Sequence, residues 1–140
     1  MANTHRTFLE NVFSHYSKGE TEEFFRCFDP HVKWMIHGEH DLAGEYKTLS
    51  AVRATYALYM TFLRDKPKHL LKHLVVEGTK ACALLVDEVV SKDNRNHLVY
   101  YTFFLELSKT GDSIIAVDNY VDSLQINALV KASGKSRLSA

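Results

Sequence analysis

The sequence predicts an α+β domain in which helices come first and a mainly antiparallel sheet follows. The first half of the chain carries apolar residues at helical spacing in three segments. From Lys68 onward the pattern changes to alternation with period two, and clusters of turn-forming residues separate the alternating runs. The chain has 140 residues and 46% hydrophobic content, which is enough for one domain with its own core.

Three segments show an apolar helical stripe, and they span residues 4–17, 21–28 and 49–64. Thr48 is the expected N-cap of the third helix, since its side chain can accept a hydrogen bond from a free backbone N–H. Asp29-Pro30 ends the second helix, because a residue that precedes proline disfavours the helical region. These helices are expected to cover one face of the sheet.

The predicted strands span residues 31–37, 44–47, 69–77, 80–91, 97–108 and 113–124. The last three are long and are joined by short turns, so they should form an antiparallel meander. The domain is predicted to cover residues 1–126. Residues 127–140 are predicted to form a polar, disordered tail.

Composition limits the possible partners and the compartment. The 17 basic and 17 acidic residues balance, so the basic footprint of a nucleic-acid-binding protein is missing. No segment reads as a secretory signal or as a membrane span. The two cysteines, Cys27 and Cys82, lie in apolar contexts that are typical of reduced structural thiols. We therefore expect a cytoplasmic protein that binds neither nucleic acid nor a membrane.

Alternation in the strand over 80–91 decides which carboxyl group faces the core. Asp87 and Glu88 are adjacent, so one of them must point inward and the other outward. The companions of Glu88 on its side of the strand are larger than those of Asp87: Cys82, Leu84, Val86 and Val90 against Ala81, Ala83, Leu85 and Val89. Larger apolar side chains suit a core, so we predict Glu88 inside, where apolar surroundings favour acid–base chemistry.

The last strand offers one polar side chain on its more apolar face. Its inward residues are predicted to be Ile115, Val117, Asn119 and Val121. A buried amide needs hydrogen-bond partners, so Asn119 either orients a ligand or serves as a hydrogen-bond hub of the core. Asp118 and Asp122 would then face outward.

The histidines leave alternatives open. Alternation sends His37 to the face opposite Trp34, but a bend at Gly38 could turn its imidazole inward, where it could act as a base. The spacing of His37, His40 and Asp41 could suggest a metal site, but a polar loop is the favoured interpretation and no metal is predicted. His69 and His73 are predicted to share one face, which is more simply a solvated face than a pocket wall.

Several short motifs, in this order, resemble the SnoaL-like group of the nuclear-transport-factor-2-like superfamily over residues 5–126. They are Gly19 followed by an acidic turn, Val32-x-Trp34, Leu42-Ala43-Gly44-Glu45-Tyr46 followed by Ala51-Val52-Arg53, and Asn119-Tyr120-Val121-Asp122. The resemblance implies a cone: three helices packed on a strongly curved, mixed or antiparallel sheet that forms a conical half-barrel with a pocket. It also implies a homodimer that forms through the convex sheet face.

The superfamily includes isomerases such as ketosteroid isomerase, cyclases, hydrolases, dehydratases and plain binding modules, so the fold does not fix the function. Catalytic relatives carry a base on the first strand and often a carboxylate before the last-strand tyrosine. Here those positions are Ile36 and Asn119, which cannot act as bases. The remaining candidates for moving a proton are His37 and Glu88, with Asn119 and a tyrosine hydroxyl orienting the substrate.

The predicted ligand-binding residues are mainly aromatic: Trp34, Ile36, Tyr46, Tyr56, Tyr101 and Phe103. Such a lining suits a small apolar molecule. We hypothesise an isomerase, cyclase or hydrolase that needs no cofactor and works by acid–base chemistry. The alternatives are a non-catalytic binding module for an apolar ligand and a dimeric protein-association domain.

Overall fold

A computed structural model describes residues 2–134 and confirms the α+β class. The helices are α1 (Ala2–Ser17), α2 (Thr21–Phe25), α3 (Leu49–Thr61) and α4 (Ser123–Ser133). The strands are β1 (Phe28–His37), β2 (Gly44–Tyr46), β3 (Lys68–Glu77), β4 (Lys80–Val90), β5 (Asn96–Leu107) and β6 (Ile114–Val121). None of the helices within the described residues is long and apolar enough to cross a bilayer.

The boundary that Thr48 was predicted to set holds, whereas Asp29-Pro30 does not end a helix, since both residues lie inside β1. Thr48 has an extended backbone and accepts a hydrogen bond from the Ala51 N–H at 3.1 Å, which confirms it as the N-cap of α3. Helix α2 ends three residues before the prediction because β1 starts at Phe28, which pairs with Ile114 of β6. A long-range strand contact therefore overrides the local helical pattern there.

The six strands form one mixed sheet in the order β2-β1-β6-β5-β4-β3. Strand β1 runs parallel to β6, and all other neighbours are antiparallel, so the predicted meander is confirmed. The register shifts at three places, in the β1–β6, β3–β4 and β5–β6 pairs. Such irregularities bend strands and change which side chains share a face.

The sheet has an inner face, which carries Trp34, Asp87 and Phe103, and an outer face, which carries His37 and Tyr120. Helices α1, α2 and α3 cover the inner face and form one core with it. The largest buried side chains of this core are aromatic and come from several elements: Phe13, Tyr16, Phe24, Phe25, Phe28, Trp34, Tyr101 and Phe103.

The inward face of β4 is the opposite of the predicted one. Asp87 is 2% exposed and points inward, whereas Glu88 is exposed, so the placement of Glu88 in the core is wrong. The Asp87 side of β4, which carries Ala81, Ala83 and Leu85, belongs to the main core cluster, so the face with the smaller side chains is the one that packs in the interior. A close-packed core uses small side chains as well as large ones, so companion size does not decide which face is buried.

Helix α4 replaces the first part of the predicted tail. Asp122, expected on the outer face of the last strand, instead caps α4 by accepting a hydrogen bond from the Gln125 N–H. Ile126 and Leu129 are 1% and 0% exposed and close one end of the core. The prediction of disorder is therefore wrong for 127–133, and residues 135–140 of the predicted tail lie outside the described part of the chain.

On β6 the inward placement of Val117 and Asn119 is confirmed, but that of Ile115 is wrong. Ile115 is 38% exposed, and Ile114 is fully buried in its place. The register of the β5–β6 pair shifts between Glu106 and Leu107, beside this end of β6, so simple alternation fails there.

Candidate active site

A cavity of about 80 Å³ lies between the inner face of the sheet and the helices. Side chains from α1, α2, α3 and α4 line it together with residues of β1, β4, β5 and β6, and most of them are apolar. The structure places these predicted site residues in its wall: Trp34, Ile36, Tyr56, Tyr101, Phe103 and Asn119. Tyr46 packs against the core instead, and its hydroxyl donates to the Leu42 carbonyl at 2.8 Å. The ligand-binding roles stay predictions.

Asp87 is the most connected polar side chain of this region. One carboxylate oxygen lies 2.6 Å from His69 Nδ1 and 2.5 Å from the Tyr101 hydroxyl, and the other accepts from Tyr59 at 2.9 Å. Asp87 and His69 are both 3% exposed as side chains. Burying a carboxylate is costly unless it is paired and hydrogen-bonded, and these three donors supply that compensation.

His69 extends this network to the tyrosine at position 56. Its Nε2 lies 2.8 Å from the Tyr56 hydroxyl. Because Nδ1 faces the carboxylate of Asp87, the tautomer of a neutral imidazole that fits this geometry carries its hydrogen on Nδ1 and accepts at Nε2 the hydrogen that Tyr56 donates. The imidazole also stacks on the Tyr16 ring, with centroids 3.9 Å apart and planes 5° from parallel. Hydrogen bonds at both ring nitrogens and the stack on Tyr16 thus fix the orientation of the imidazole.

Burial keeps the tyrosines of this network in their hydroxyl form. Desolvation is the main cause that raises the pKa of Tyr16, Tyr59 and Tyr101 well above the ordinary value, and the nearby Asp87 charge adds to it. The pKa of Tyr56 is raised for the same two reasons. At neutral pH these side chains therefore donate hydrogen bonds. Since Tyr101 uses its one hydrogen for Asp87, Tyr16 donates to Tyr101 across 3.0 Å.

The pairing of strands brings together residues that lie far apart in the sequence. His69 of β3 and Asp87 of β4 are direct cross-strand partners, here called the inner pair. Tyr56 and Tyr59 are one helical turn apart on α3 and so reach the same region from above the sheet. This geometry makes a continuous hydrogen-bonded path, Asp87 to His69 to Tyr56, that ends at the cavity wall.

The other side of the cavity carries two polar atoms without a partner. The indole Nε1 of Trp34 and the amide Oδ1 of Asn119 are buried and have no hydrogen-bond partner among the described residues. The two residues are 4% and 8% exposed. Native proteins rarely leave such groups unpaired, so this side of the cavity has unused capacity to bind a polar group.

Comparison with known proteins identifies the fold of this chain but no family by sequence. No protein-family model and no curated protein matches the sequence. An NTF2-like protein of unknown function from Burkholderia pseudomallei superposes with a TM-score of 0.79 at 12% identity, covering 94% of this chain and 100% of its own. An NTF2-like protein from Burkholderia xenovorans gives 0.67 at 18% identity, with 95% and 98% covered. The chain has the NTF2-like fold.

A third neighbour with this arrangement is TerC, whose structure was determined with polyporic acid. It superposes with a TM-score of 0.76 at 12% identity and covers 91% of this chain and 98% of its own. At such identities the likeness concerns the NTF2-like fold alone. The site of this chain must therefore be judged from its own residues.

The two residues predicted to move a proton lie outside the cavity of this NTF2-like domain. His37 bonds through Nε2 to Asp118 at 2.9 Å, forming what we call the outer pair, and stacks on Tyr120. Glu88 is exposed on the same outer face. Their placement in the pocket is wrong. The groups that do reach the interior from these strands are the members of the inner pair.

One irregularity explains why His69 was not predicted to face the interior. From the Gly78-Thr79 turn to His73 the β3–β4 register is that of an ideal hairpin, which would pair His69 with Glu88. The register shifts by one between Leu71 and His73, so His69 meets Asp87 instead. The same shift makes the predicted common face of His69 and His73 wrong, since the former is buried and the latter exposed.

In the histidine-rich loop after β1, the His40 side chain forms hydrogen bonds with backbone groups of the same segment. His40 Nδ1 accepts from the Leu42 N–H at 3.1 Å, and Nε2 lies 3.1 Å from the His37 carbonyl. Burial lowers the pKa of His40, which favours this neutral, doubly bonded imidazole. Within residues 2–134 no three His, Cys, Asp or Glu side chains form a group that could hold a metal ion.

Proposed function

We propose that this domain is an acid–base enzyme that needs no cofactor and moves a proton within a small, largely apolar substrate. The observation that carries the proposal is the path from Asp87 through His69 to the Tyr56 hydroxyl, which ends in the wall of an apolar cavity. A base whose partner is oriented by a buried carboxylate is the arrangement that general acid–base catalysis requires.

The proposed step is a proton relay. Tyr56 Oη takes a proton from the substrate while its own proton passes to His69 Nε2, and the imidazolium that forms lies against the Asp87 carboxylate. The reverse relay returns a proton to a different atom of the substrate. The net reaction is an isomerisation, which consumes no second reactant and leaves the enzyme unchanged.

Two features of the site support this relay. The raised pKa of Tyr56 keeps its hydroxyl protonated near neutral pH, so it can give and accept a proton in one concerted step. Tyr101 donates to the Asp87 oxygen that faces His69, and Tyr59 donates to the other oxygen, so both hold the carboxylate in place. The imidazole therefore has one fixed orientation before substrate arrives, which lowers the cost of reaching the transition state.

The competing proposal is a binding module without turnover. It is supported by the Trp34 and Asn119 atoms that have no partner, because a cavity can use them to hold a ligand without changing it. Ile36, at the position where catalytic relatives carry a base, also favours this alternative. The two proposals differ in a single observable, which is proton exchange on a bound ligand.

The test follows proton abstraction directly. The protein is incubated in deuterated water with small enolisable ketones, namely butanone and hydroxyacetone, and proton NMR measures deuterium uptake beside the carbonyl. We expect uptake above the buffer rate for at least one ketone, and a loss of about 100-fold in Tyr56→Phe. Tyr120→Phe, on the outer face, is the matched control and should keep the full rate.

Equal exchange in the wild type and in Tyr56→Phe would overturn the relay. Exchange at the buffer rate in both, together with measurable ketone binding, would favour the binding module. A His69→Asn variant separates the two members of the path, since it keeps a side chain of similar reach but cannot become an imidazolium.

We also propose that the outer face binds a second copy of the chain. Several large apolar side chains of this face are exposed: Val75, Leu98, Tyr100, Phe104, Ile115 and Tyr120. Large apolar side chains exposed together on one face of a sheet favour association. Light scattering should give the mass of a dimer, and Phe104→Glu should give that of a monomer. A monomeric wild type would refute this proposal.

A further inference from the structure

The geometry of the cavity points to a binding site for one neutral hydroxyl group, formed by the Trp34 indole N–H and the Asn119 amide oxygen. We propose that the ligands of this protein are small, uncharged molecules that carry such a hydroxyl. This proposal names the substrate class of the proposed enzyme. It rests on the proposed function in one respect, which is that the cavity is taken as the reaction site.

The first step of the argument is the cost of leaving these atoms unpaired. Three buried side-chain atoms of the described residues have no hydrogen-bond partner, and two of them belong to residues that line this one cavity. The third, His97 Nε2, belongs to a residue outside its wall. A buried donor or acceptor without a partner is destabilising, so a ligand that satisfies both atoms recovers that free energy on binding.

The second step is the position of the two residues. Trp34 lies on β1 and Asn119 on β6, and these strands are parallel neighbours in which Trp34 pairs with Val117 and Ile36 pairs with Asn119. Trp34 and Asn119 thus stand two residues apart along adjacent strands, on the same inner face. Both side chains also line the same small cavity, so one small molecule bound there can contact both.

The third step is the chemistry of the pair. The indole nitrogen only donates, and the amide oxygen only accepts. A ligand atom that serves both must accept one hydrogen bond and donate another, which is what a hydroxyl oxygen does. An ether oxygen can satisfy Trp34 but leaves Asn119 unpaired, and a hydrocarbon satisfies neither.

The fourth step concerns charge and size. Apart from tyrosines, Asp87 is the one ionisable residue among those described in the cavity wall, and its oxygens already accept three hydrogen bonds. A charged ligand would lose its hydration without gaining an ionic partner. The cavity, at about 80 Å³, is also smaller than the roughly 150 Å³ that takes up benzene, so it suits a short chain rather than a ring.

The test uses Trp34 as its own reporter, since it is the single tryptophan of the chain. The protein is labelled with nitrogen-15 and titrated with 1-butanol, with its isomer methyl propyl ether, and with pentane. We expect the indole N–H resonance to shift with 1-butanol and the affinity for it to exceed that for the ether by about tenfold or more. Pentane should bind most weakly and leave the indole resonance nearly unchanged.

Asn119→Leu is the decisive variant, because leucine keeps the shape of the side chain and removes the amide oxygen. It should bind the alcohol and the ether equally. It should also unfold at no lower urea concentration than the wild type, since the lost oxygen had no partner. Equal affinities for the two isomers in the wild type, an unmoved indole resonance at saturation, or a preference that survives in Asn119→Leu would each overturn the proposal.

The outcome can be separated from that of the proposed function. Tyr56→Phe should keep the alcohol preference, because Tyr56 belongs to the relay and not to the hydroxyl site. If the preference holds while deuterium exchange stays at the buffer rate, the enzyme proposal fails and the hydroxyl site stands. If exchange is enzymatic but the isomers bind equally, the hydroxyl site fails and the enzyme proposal stands.

Discussion

The two faces of the sheet carry nearly the same trio of side chains in different surroundings. On the inner face, the inner pair is joined at 2.6 Å and its histidine stacks on Tyr16. On the outer face, the outer pair is joined at 2.9 Å and its histidine stacks on Tyr120, with ring centroids 4.1 Å apart. Residue types and local geometry alone would give both sites the same chemistry.

Burial distinguishes the inner pair from the outer pair. The side chains of the inner pair are 3% exposed, whereas those of the outer pair are 34% and 58% exposed. Inside, no water competes for the hydrogen bonds, and each of them is electrostatically stronger. Outside, water and salt screen the interaction, and such pairs typically contribute 0–1 kcal/mol. The comparison teaches that a His–Asp pair becomes a candidate for catalysis only when the fold removes it from solvent.

The largest difference is expected from matched amide substitutions. Asp87→Asn should lower the free energy of unfolding by about 3 kcal/mol, because it removes a buried charge from a network of three donors. Asp118→Asn should change it by less than about 0.5 kcal/mol. Urea unfolding followed by Trp34 fluorescence measures both. Similar losses for the two variants would mean that burial does not distinguish the pairs.

A second difference should appear at alkaline pH. The pKa of Tyr59 is raised in the folded protein, so the unfolded chain loses this proton first as the pH rises past about 10. The contribution of Tyr59 to stability is therefore complete below pH ~10 and declines above it by about 1.4 kcal/mol per pH unit.

Tyr59→Phe should remove the contribution of Tyr59 to the slope of the free energy of unfolding against pH, whereas the exposed control Tyr120→Phe should keep it. The free energy of unfolding at several pH values above and below pH ~10 is the measurement. Identical slopes in both variants would contradict the assignment of Tyr59 to a desolvated site.

The smallest effect concerns the outer pair itself. A double-mutant cycle with His37→Ala and Asp118→Ala should give a coupling energy below about 1 kcal/mol. The coupling should shrink further between about 0.1 M and 1 M salt, where screening becomes short-ranged. A coupling of more than about 2 kcal/mol that salt does not change would mean that a partner covers this pair and that the contrast between the faces is smaller in the assembled protein.

Much of the fold could be predicted because its signals are local. Helical spacing of apolar residues located α1 and α3, and period-two alternation located the four long strands after Lys68. Thr48 was recognisable as a cap because capping depends on a few neighbouring residues. Helix α4 was missed because it follows directly on a strand and is short, with only Ile126 and Leu129 buried.

The site could be predicted only in part, since it depends on which face each residue occupies. Trp34 and Asn119 were placed correctly, because β1 and this part of β6 alternate regularly. Glu88 was preferred to Asp87 on the size of its companions, a criterion that fails because the small Ala81 and Ala83 also pack in the core.

The sequence by itself determined the class of fold, the order of its elements up to β6 and the aromatic character of the interior, because periodicity and turn residues act over a few positions. Only the tertiary structure decided that His69 meets Asp87 and not Glu88. A single shift of register between Leu71 and His73 exchanges the faces of every residue beyond it. Such a shift is set by the packing of the whole sheet against its helices, and no short stretch of sequence records it.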